Sequence, residues 1–245
     1  MNILKAWCDA YGKEIYIMFM PNKEQVYDEY MPTVEIADTY KRTKRIVDYM
    51  NAHTGVSFIY PLEELETAET YWPVYYQYDT HWNHIGAFMG MQALYKEMGM
   101  ETTNPLNLEM EEKVTTRSDL MVMGGLSPEN YVMDTDYLPV YKPDVYCSYC
   151  EEEGYEPDIT RTVANVPGGK NLVFIGDSFR TLLAPYITKD FLNTTLVHRK
   201  ALGECYEDII NADVIVISAV ERYDTEVFDS AETIMEFFRT YNEQN

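Results

Sequence analysis

Two short motifs carry most of the chemistry this chain could perform. Asp79-Thr80-His81-Trp82-Asn83 offers a carboxylate and an imidazole two positions apart. Gly176-Asp177-Ser178-Phe179 offers a hydroxyl directly after the apolar run Asn171-Leu172-Val173-Phe174-Ile175. A serine attacks an ester when a base takes its proton and a third group fixes the tautomer of that base. Asp79, His81 and Ser178 are the side-chain types this requires. An Asp two residues before a His can touch the imidazole on a compact loop. Gly176 gives the chain freedom to turn sharply after a strand. A serine on that turn, at the start of a helix, lies near backbone N–H groups able to stabilise an oxyanion. The flanks differ from the Gly-x-Ser-x-Gly elbow of hydrolases.

Each motif also has a plainer reading. Asp177 or Ser178 could cap a helix, and Asn83 reads as a cap as well. His81 could be a surface histidine. Trp82 could shield the Asp–His pair or line a pocket. Asp79, His81 and His84 have metal-ligand spacing, but three candidates with no second cluster make a poor site, so no metal is expected. No cofactor is expected either. His53 and His198 sit in no constellation. Cys147-x-x-Cys150 has no second pair to complete a zinc ribbon, and Glu151-Glu152-Glu153-Gly154 after it reads as a loop. A local disulfide or two free thiols fit that pattern better than a metal.

The elements that must position these groups follow from the apolar pattern. Residues 15–20 are a continuous apolar run stopped by Pro21, and 56–60, stopped by Pro61, 172–175 and 214–218 read as strands of the same type. Such runs suit parallel strands buried on both faces. Helical spacing predicts helices over 3–11, closed by Gly12, and over 35–53. Further helices are expected over 85–98, closed by Gly99, and over 181–187 and 231–241. Residues 100–168 read as irregular. Strands alternating with helices imply an α/β fold with a central, mainly parallel sheet flanked by helices. Ligands in such folds bind at the carboxyl ends of the strands, where Ser178 lies.

The chain has 245 residues, 46% of them hydrophobic, enough for one large α/β domain spanning 1–245. No linker or repeat argues for more. The net charge of −22 makes nucleic acid and anionic membrane surfaces poor partners. Tyrosine is abundant at 22 residues; its rings can stack on sugars or simply fill a core. No apolar run is long enough to span a membrane. Met1-Asn2-Ile3-Leu4-Lys5-Ala6-Trp7 lacks the apolar stretch of a secretory signal.

Taken together, the motifs resemble a known family. Gly-Asp-Ser after a buried strand resembles the first block of SGNH hydrolases. In most of those the Asp and His follow the serine as Asp-x-x-His. Here Asp-x-His comes first, and Tyr78-Asp79-Thr80-His81-Trp82-Asn83 resembles the SGNH-hydrolase-like domains of the alginate O-acetyltransferase group. Pro21-Asn22-Lys23 with Tyr27 and Met31-Pro32, Arg117-Ser118-Asp119-Leu120 with Gly124-Gly125-Leu126, and Val220-Glu221-Arg222-Tyr223 resemble weaker signatures of that group.

The resemblance implies a three-layer SGNH-like domain. It implies Ser178 as nucleophile, His81 as general base and Asp79 as its orienting partner. The Ser178 backbone N–H and that of Gly125 would form the oxyanion hole. Arg222 becomes a structural or substrate-facing cation. The activity implied is transfer of an acetyl group through an acetyl-serine to a polysaccharide acceptor, the acetyl donor being delivered by a membrane-bound acyltransferase. The alternatives are a carbohydrate acetylesterase and a non-catalytic polysaccharide-binding protein of the same fold. The implied location is extracellular or cell-surface, with the signal or anchor outside this stretch of chain.

Overall fold

Continuous apolar runs, rather than alternating ones, dictate the centre of this fold. The structure, a computed structural model, describes residues 1–30, 42–127, 133–150 and 157–244. Its strands are β1 (Glu14–Met20), β2 (Ser57–Ile59), β3 (Met110–Thr115), β4 (Asp134–Pro139), β5 (Ile159–Val163), β6 (Asn171–Gly176), β7 (Asn193–His198) and β8 (Val214–Val220). Its helices are α1 (Asn2–Ala10), α2 (Lys23–Val26), α3 (Arg42–His53), α4 (Leu62–Glu69), α5 (His84–Glu97), α6 (Asp119–Met123), α7 (Ala184–Ile187), α8 (Tyr206–Asn211) and α9 (Glu226–Gln244). The chain packs into two compact units. Unit 1 comprises residues 1–20, 36–60 and 144–245, and unit 2 comprises 21–35 and 61–143. Each unit is assembled from separate stretches of sequence, so no single linker marks a boundary.

Unit 1 holds a six-stranded sheet in the order β2-β1-β8-β6-β7-β5. All neighbours are parallel except β5, which runs antiparallel to β7. Every residue of β8 is buried, as its mostly apolar Val-Ile-Val-Ile-Ser-Ala-Val predicts. One sheet face packs Ile15, Ile17, Ile175, Ile215 and Ile217 against Leu4 and Cys8 of α1 and Ile234 and Phe238 of α9. Burying each such aliphatic side chain stabilises the fold by about 1.5–3 kcal/mol. The fold is therefore the expected α/β architecture.

Unit 2 is built on α5, which is buried almost all round. Gly86 explains how neighbouring chain comes so close: a Cβ there would lie 2.1 Å from the Val74 carbonyl oxygen. Beside α5 lies a two-stranded antiparallel hairpin, β3 with β4, paired from Met110↔Pro139 to Thr115↔Asp134.

The expected elements are present with several corrections. The helix expected over 35–53 is seen as α3 from Arg42; residues 35–41 lie outside the described residues. The helix expected over 181–187 is instead a 3-10 turn, Ser178–Leu183, leading into the short α7. The last helix begins five residues earlier than expected, at Glu226. The stretch 100–168, read as irregular, contains β3, β4, β5 and α6. Cys147 and Cys150 are free thiols. Among the described residues no helix is long and apolar enough to cross a membrane.

The turn after β6 has little room. A Cβ on Gly176 would lie 2.4 Å from the Ser218 Oγ, which donates to the Ile175 carbonyl. Gly176→Ala should cost about 1–3 kcal/mol of stability. The double variant Gly176→Ala/Ser218→Ala should recover part of that loss in urea denaturation, because the clash is with the hydroxyl.

Candidate functional site

The Asp-x-His motif lies in unit 2, on the loop between α4 and α5. That loop is held from several directions. Asn83 caps α5: its Oδ1 accepts the Gly86 N–H at 3.0 Å, as the sequence suggests. The Asn83 N–H donates to the Val74 carbonyl at 3.0 Å, and the Tyr76 N–H to the His81 carbonyl at 3.2 Å. Lys23 Nζ donates to the carbonyls of Tyr76 (2.6 Å) and Gln77 (2.8 Å), with the Asp79 carbonyl at 3.4 Å. Burial pushes the Lys23 ammonium down, while Asp134, Asp79 and Asp119 pull it back up. The Tyr27 hydroxyl accepts the Val74 N–H at 3.0 Å. Met31 and Pro32, from the same signature, lie outside the described residues.

Strand β4 grips the loop on both flanks of the motif. Asp134 Oδ2 accepts the Gln77 N–H at 2.7 Å. Asp136 accepts the Tyr76 hydroxyl at 2.5 Å and the His84 N–H at 3.4 Å. Asp136 is buried, and burial pushes its carboxyl up, against the opposing pull of His84 and of the Tyr76 hydroxyl.

Asp79 reaches His81 as their spacing predicts. The His81 Nδ1–H donates to Asp79 Oδ1 at 2.6 Å, and the His81 backbone N–H donates to the same oxygen at 2.9 Å. Asp79 Oδ2 accepts the Asp119 N–H at 3.2 Å. Burial alone would push the Asp79 carboxyl up. The hydrogen bonds from the His81 ring and backbone, the His81 charge and the Asp119 N–H together bring it below its ordinary 3.8. With the proton on Nδ1, the basic lone pair of the ring is at Nε2.

Asp119 is the residue that motif reasoning missed. Its Oδ1 accepts the Thr80 N–H at 2.7 Å, its Oδ2 accepts the Thr80 hydroxyl, and it lies 3.7 Å from His81 Nδ1. Asp79 and Asp119 thus hold each other's chain segment by a backbone amide. Nothing in local spacing pairs residue 119 with residue 81; the one signal was the weak resemblance of 117–120. Among the described residues, Asp79, His81 and Asp119 also form the group whose ligand atoms cluster, within 4.8 Å, closely enough to hold a metal. The trio suggested by spacing does not form, because His84 faces Asp136 at 3.8 Å. Both carboxylates of the observed trio already serve backbone N–H groups.

Two further residues named in the sequence lie near these segments of chain. The Gly125 N–H donates to the Val122 carbonyl at 3.0 Å, with Gly125 at φ +74° beyond the end of α6. That amide is engaged at the helix end. Trp82, beside His81 in the sequence, is fully buried.

Ser178 lies in unit 1, at the carboxyl end of β6. Asp177 is the cap there: its Oδ1 accepts the Phe179 N–H at 2.9 Å, and its Oδ2 accepts the Val220 N–H at 2.8 Å. One buried carboxylate therefore ties the end of β6 to the end of β8. Ser178 follows as the first residue of the 3-10 turn and is half-exposed. Arg180, buried, donates to the Asp177 carbonyl at 3.0 Å and to the Pro157 carbonyl at 2.5 Å. The Arg222 guanidinium sits over the Phe179 ring at 5.5 Å and the Tyr223 ring at 5.4 Å, beside the serine turn.

Residues 4–154 match the family described as SGNH hydrolase-like domain, acetyltransferase AlgX. The chain belongs to that family. The matched stretch of this AlgX-type domain contains Asp79, His81 and Asp119 and ends before Ser178. Several solved structures are similar to it. A DHHW family protein from Eubacterium siraeum is 13% identical over 96% of this chain and 88% of its own, with a TM-score of 0.66. Bacillus cereus PatB1, also solved with a sulfonyl adduct, is 16% identical over 92% and 87%, with a TM-score of 0.63. The O-acetyltransferase domain of Pseudomonas putida AlgJ is 15% identical over 97% and 86%, with a TM-score of 0.57. At these identities they show the SGNH-like fold. Among curated proteins, none matches the chain in sequence.

Two outcomes follow for unit 2. Asp79 is held below 3.8 in the folded state, so its stabilising effect is full above about pH 4 and is lost as pH falls through its folded value. Asp79→Asn should flatten the acid fall of the urea midpoint; an unchanged fall would show that Asp79 bears none of it. Asp119→Ala should lower stability by about 1–3 kcal/mol, since it strands the Thr80 N–H, and Asp119→Asn should lose less.

Proposed function

We propose that this chain is a serine-dependent O-acetyltransferase acting on a polysaccharide, with Ser178 as nucleophile, His81 as general base and Asp79 as the group that orients it. The observation that carries the reading is the 2.6 Å bond from His81 Nδ1 to Asp79, in a chain of an acetyltransferase family. That bond fixes the tautomer a base needs and supports the positive ring formed when it accepts a proton. The position of Ser178 at a strand's carboxyl end, on a turn fixed by Asp177, supports its role as nucleophile. The whole of 1–245 is read as one catalytic domain, acting outside the cytoplasm and receiving acetyl groups through a membrane-bound acyltransferase.

The cycle runs in two transfers. His81 Nε2 takes the Ser178 Oγ proton as Oγ bonds to the acetyl carbon of the donor. The tetrahedral oxyanion collapses, the bond to the leaving group breaks, and His81 returns the proton to that group. A sugar hydroxyl then attacks the acetyl-serine while His81 takes its proton. The Oγ–acyl bond breaks, and the proton returns to Ser178. Transfer exceeds hydrolysis when the sugar is held in place and water is kept out. The Ser178 N–H is the proposed donor to the oxyanion.

Turnover of a chromogenic acetyl ester tests the assignment. Wild type should release the chromophore. Ser178→Ala and His81→Ala should each lower kcat by about 10³-fold or more, and Asp79→Asn should fall in the same direction. A Ser178→Ala variant as active as wild type would overturn the triad. The sulfonyl adduct of PatB1 suggests a second probe: a sulfonyl fluoride should inactivate wild type and leave Ser178→Ala unlabelled.

A further inference from the structure

Asp119 forgoes the task its position offers. It is the first residue of α6, where a carboxylate ordinarily serves the unmet N–H groups of the helix end. Both its oxygens go elsewhere, to the N–H and the hydroxyl of Thr80. Ser118, the residue before the helix, does not cap it with its side chain either; its hydroxyl donates to the Thr116 carbonyl at 3.0 Å. Two side chains suited to the end of α6 thus leave it, and one of them is committed to the residue between Asp79 and His81.

The same two segments are joined twice more. The Asp119 N–H donates to Asp79 Oδ2 at 3.2 Å, and the Leu120 N–H donates to the Tyr78 carbonyl at 3.1 Å. Every one of these hydrogen bonds falls on Tyr78, Asp79 or Thr80, the three residues that directly precede His81. The turn that brings Asp119 there is itself anchored. It leaves β3 at Thr115, whose hydroxyl oxygen accepts the Arg117 N–H at 3.3 Å and which pairs with Asp134 of β4. Asp134 in turn takes the Gln77 N–H. The hairpin therefore reaches the Asp-x-His loop from both of its strands.

What this frame fixes is the ring. Asp79 Oδ1 accepts from the ring and from the backbone N–H of His81, so the carboxylate sets where Nδ1 lies and hence where Nε2 points. Thr80 stands between the two, and rotation of its backbone would carry the ring off the carboxylate. A displacement of about 1 Å at a reacting group can cost on the order of a hundredfold in rate. Asp119 Oδ2 lies 3.7 Å from His81 Nδ1, beyond hydrogen-bond reach, so its hold on the ring passes through Thr80.

We propose that Asp119 is a positioning residue for His81, holding the imidazole through Thr80 in the orientation from which Nε2 takes a proton. This rests on the role of His81 as general base proposed above and adds a residue to it.

Ester turnover and proton NMR of the full-length protein test it together. Asp119→Ala should lower kcat for the chromogenic acetyl ester about tenfold to a hundredfold, well below its melting temperature, with KM within about twofold of wild type. Asp119→Asn should recover most of that loss, since its amide can accept the Thr80 N–H and donate to the Thr80 hydroxyl. Thr80→Val should lower kcat in the same direction and cost nothing further when added to Asp119→Ala. The second readout needs no turnover. In Ser178→Ala, the hydrogen-bonded His81 Nδ1–H should give a resolved signal, assigned by its loss in Ser178→Ala/His81→Ala. Adding Asp119→Ala should broaden that signal by exchange with water, and adding Asp119→Asn should preserve it. Unchanged kcat in Asp119→Ala, a loss confined to KM, a loss in Asp119→Asn as large as in Asp119→Ala, or a signal that is absent from Ser178→Ala or survives Asp119→Ala would each overturn the proposal. If Asp119→Ala does not fold, Thr80→Val decides alone: kcat must fall and the signal must broaden, and a wild-type value of either overturns it. Failure of wild type to turn over the ester would remove the reading of His81 as base, and the NMR signal would still report whether Asp119 holds the ring.

Discussion

A buried carboxylate must be surrounded by hydrogen-bond donors, and this chain has few cations to supply them. It carries 41 acidic residues against 19 Lys and Arg. Asp79, Asp136 and Asp177 are nevertheless buried. Each is served by donors whose positions the backbone fixes. Asp177 takes the N–H groups of Phe179 and Val220. Asp79 takes the His81 ring and backbone and the Asp119 N–H. Asp136 takes the Tyr76 hydroxyl and the His84 N–H. Leaving one such acceptor unmet costs about 1–3 kcal/mol, and more for a charge. Meeting it obliges the loop that supplies the donors to keep one shape.

That obligation is how the two motifs become rigid enough for chemistry. In unit 1 a single carboxylate joins the ends of β6 and β8, so the turn that carries Ser178 is part of the sheet edge rather than a loose loop. In unit 2 the same device holds the imidazole, reinforced by Lys23 on three carbonyls and by two aspartates of β4. Preorganised groups need little rearrangement as charge develops, which is the main source of rate in acyl transfer. Lys23 and Tyr27 belong to one of the weaker family signatures, and both act by shaping the loop.

Much of this was legible in the sequence, for identifiable reasons. Strands β1, β6 and β8 carry long apolar runs because they are buried in the sheet, and Pro21, Pro61, Gly12 and Gly99 mark real ends. Asp79 and His81 are two residues apart, so their contact is local and readable. Asn83 is a cap for the same reason. Asp119 was hidden because its partner lies 39 residues away along the chain. The β3–β4 hairpin was hidden because β3 is mostly exposed and polar, leaving no apolar run to read. Strand β7, Asn-Thr-Thr-Leu-Val-His, has its threonines buried between neighbours, so its polarity concealed a core strand.

In the proposed cycle one serine carries the acetyl group and His81 puts it there. Intact-protein mass spectrometry after brief exposure to an activated acetyl ester, followed by peptide mapping, addresses both halves. One acetyl group is expected, on Ser178, in the wild-type chain and almost none in His81→Ala within the same time. An acetyl group that maps to another residue, or that loads Ser178 equally fast without His81, would contradict it.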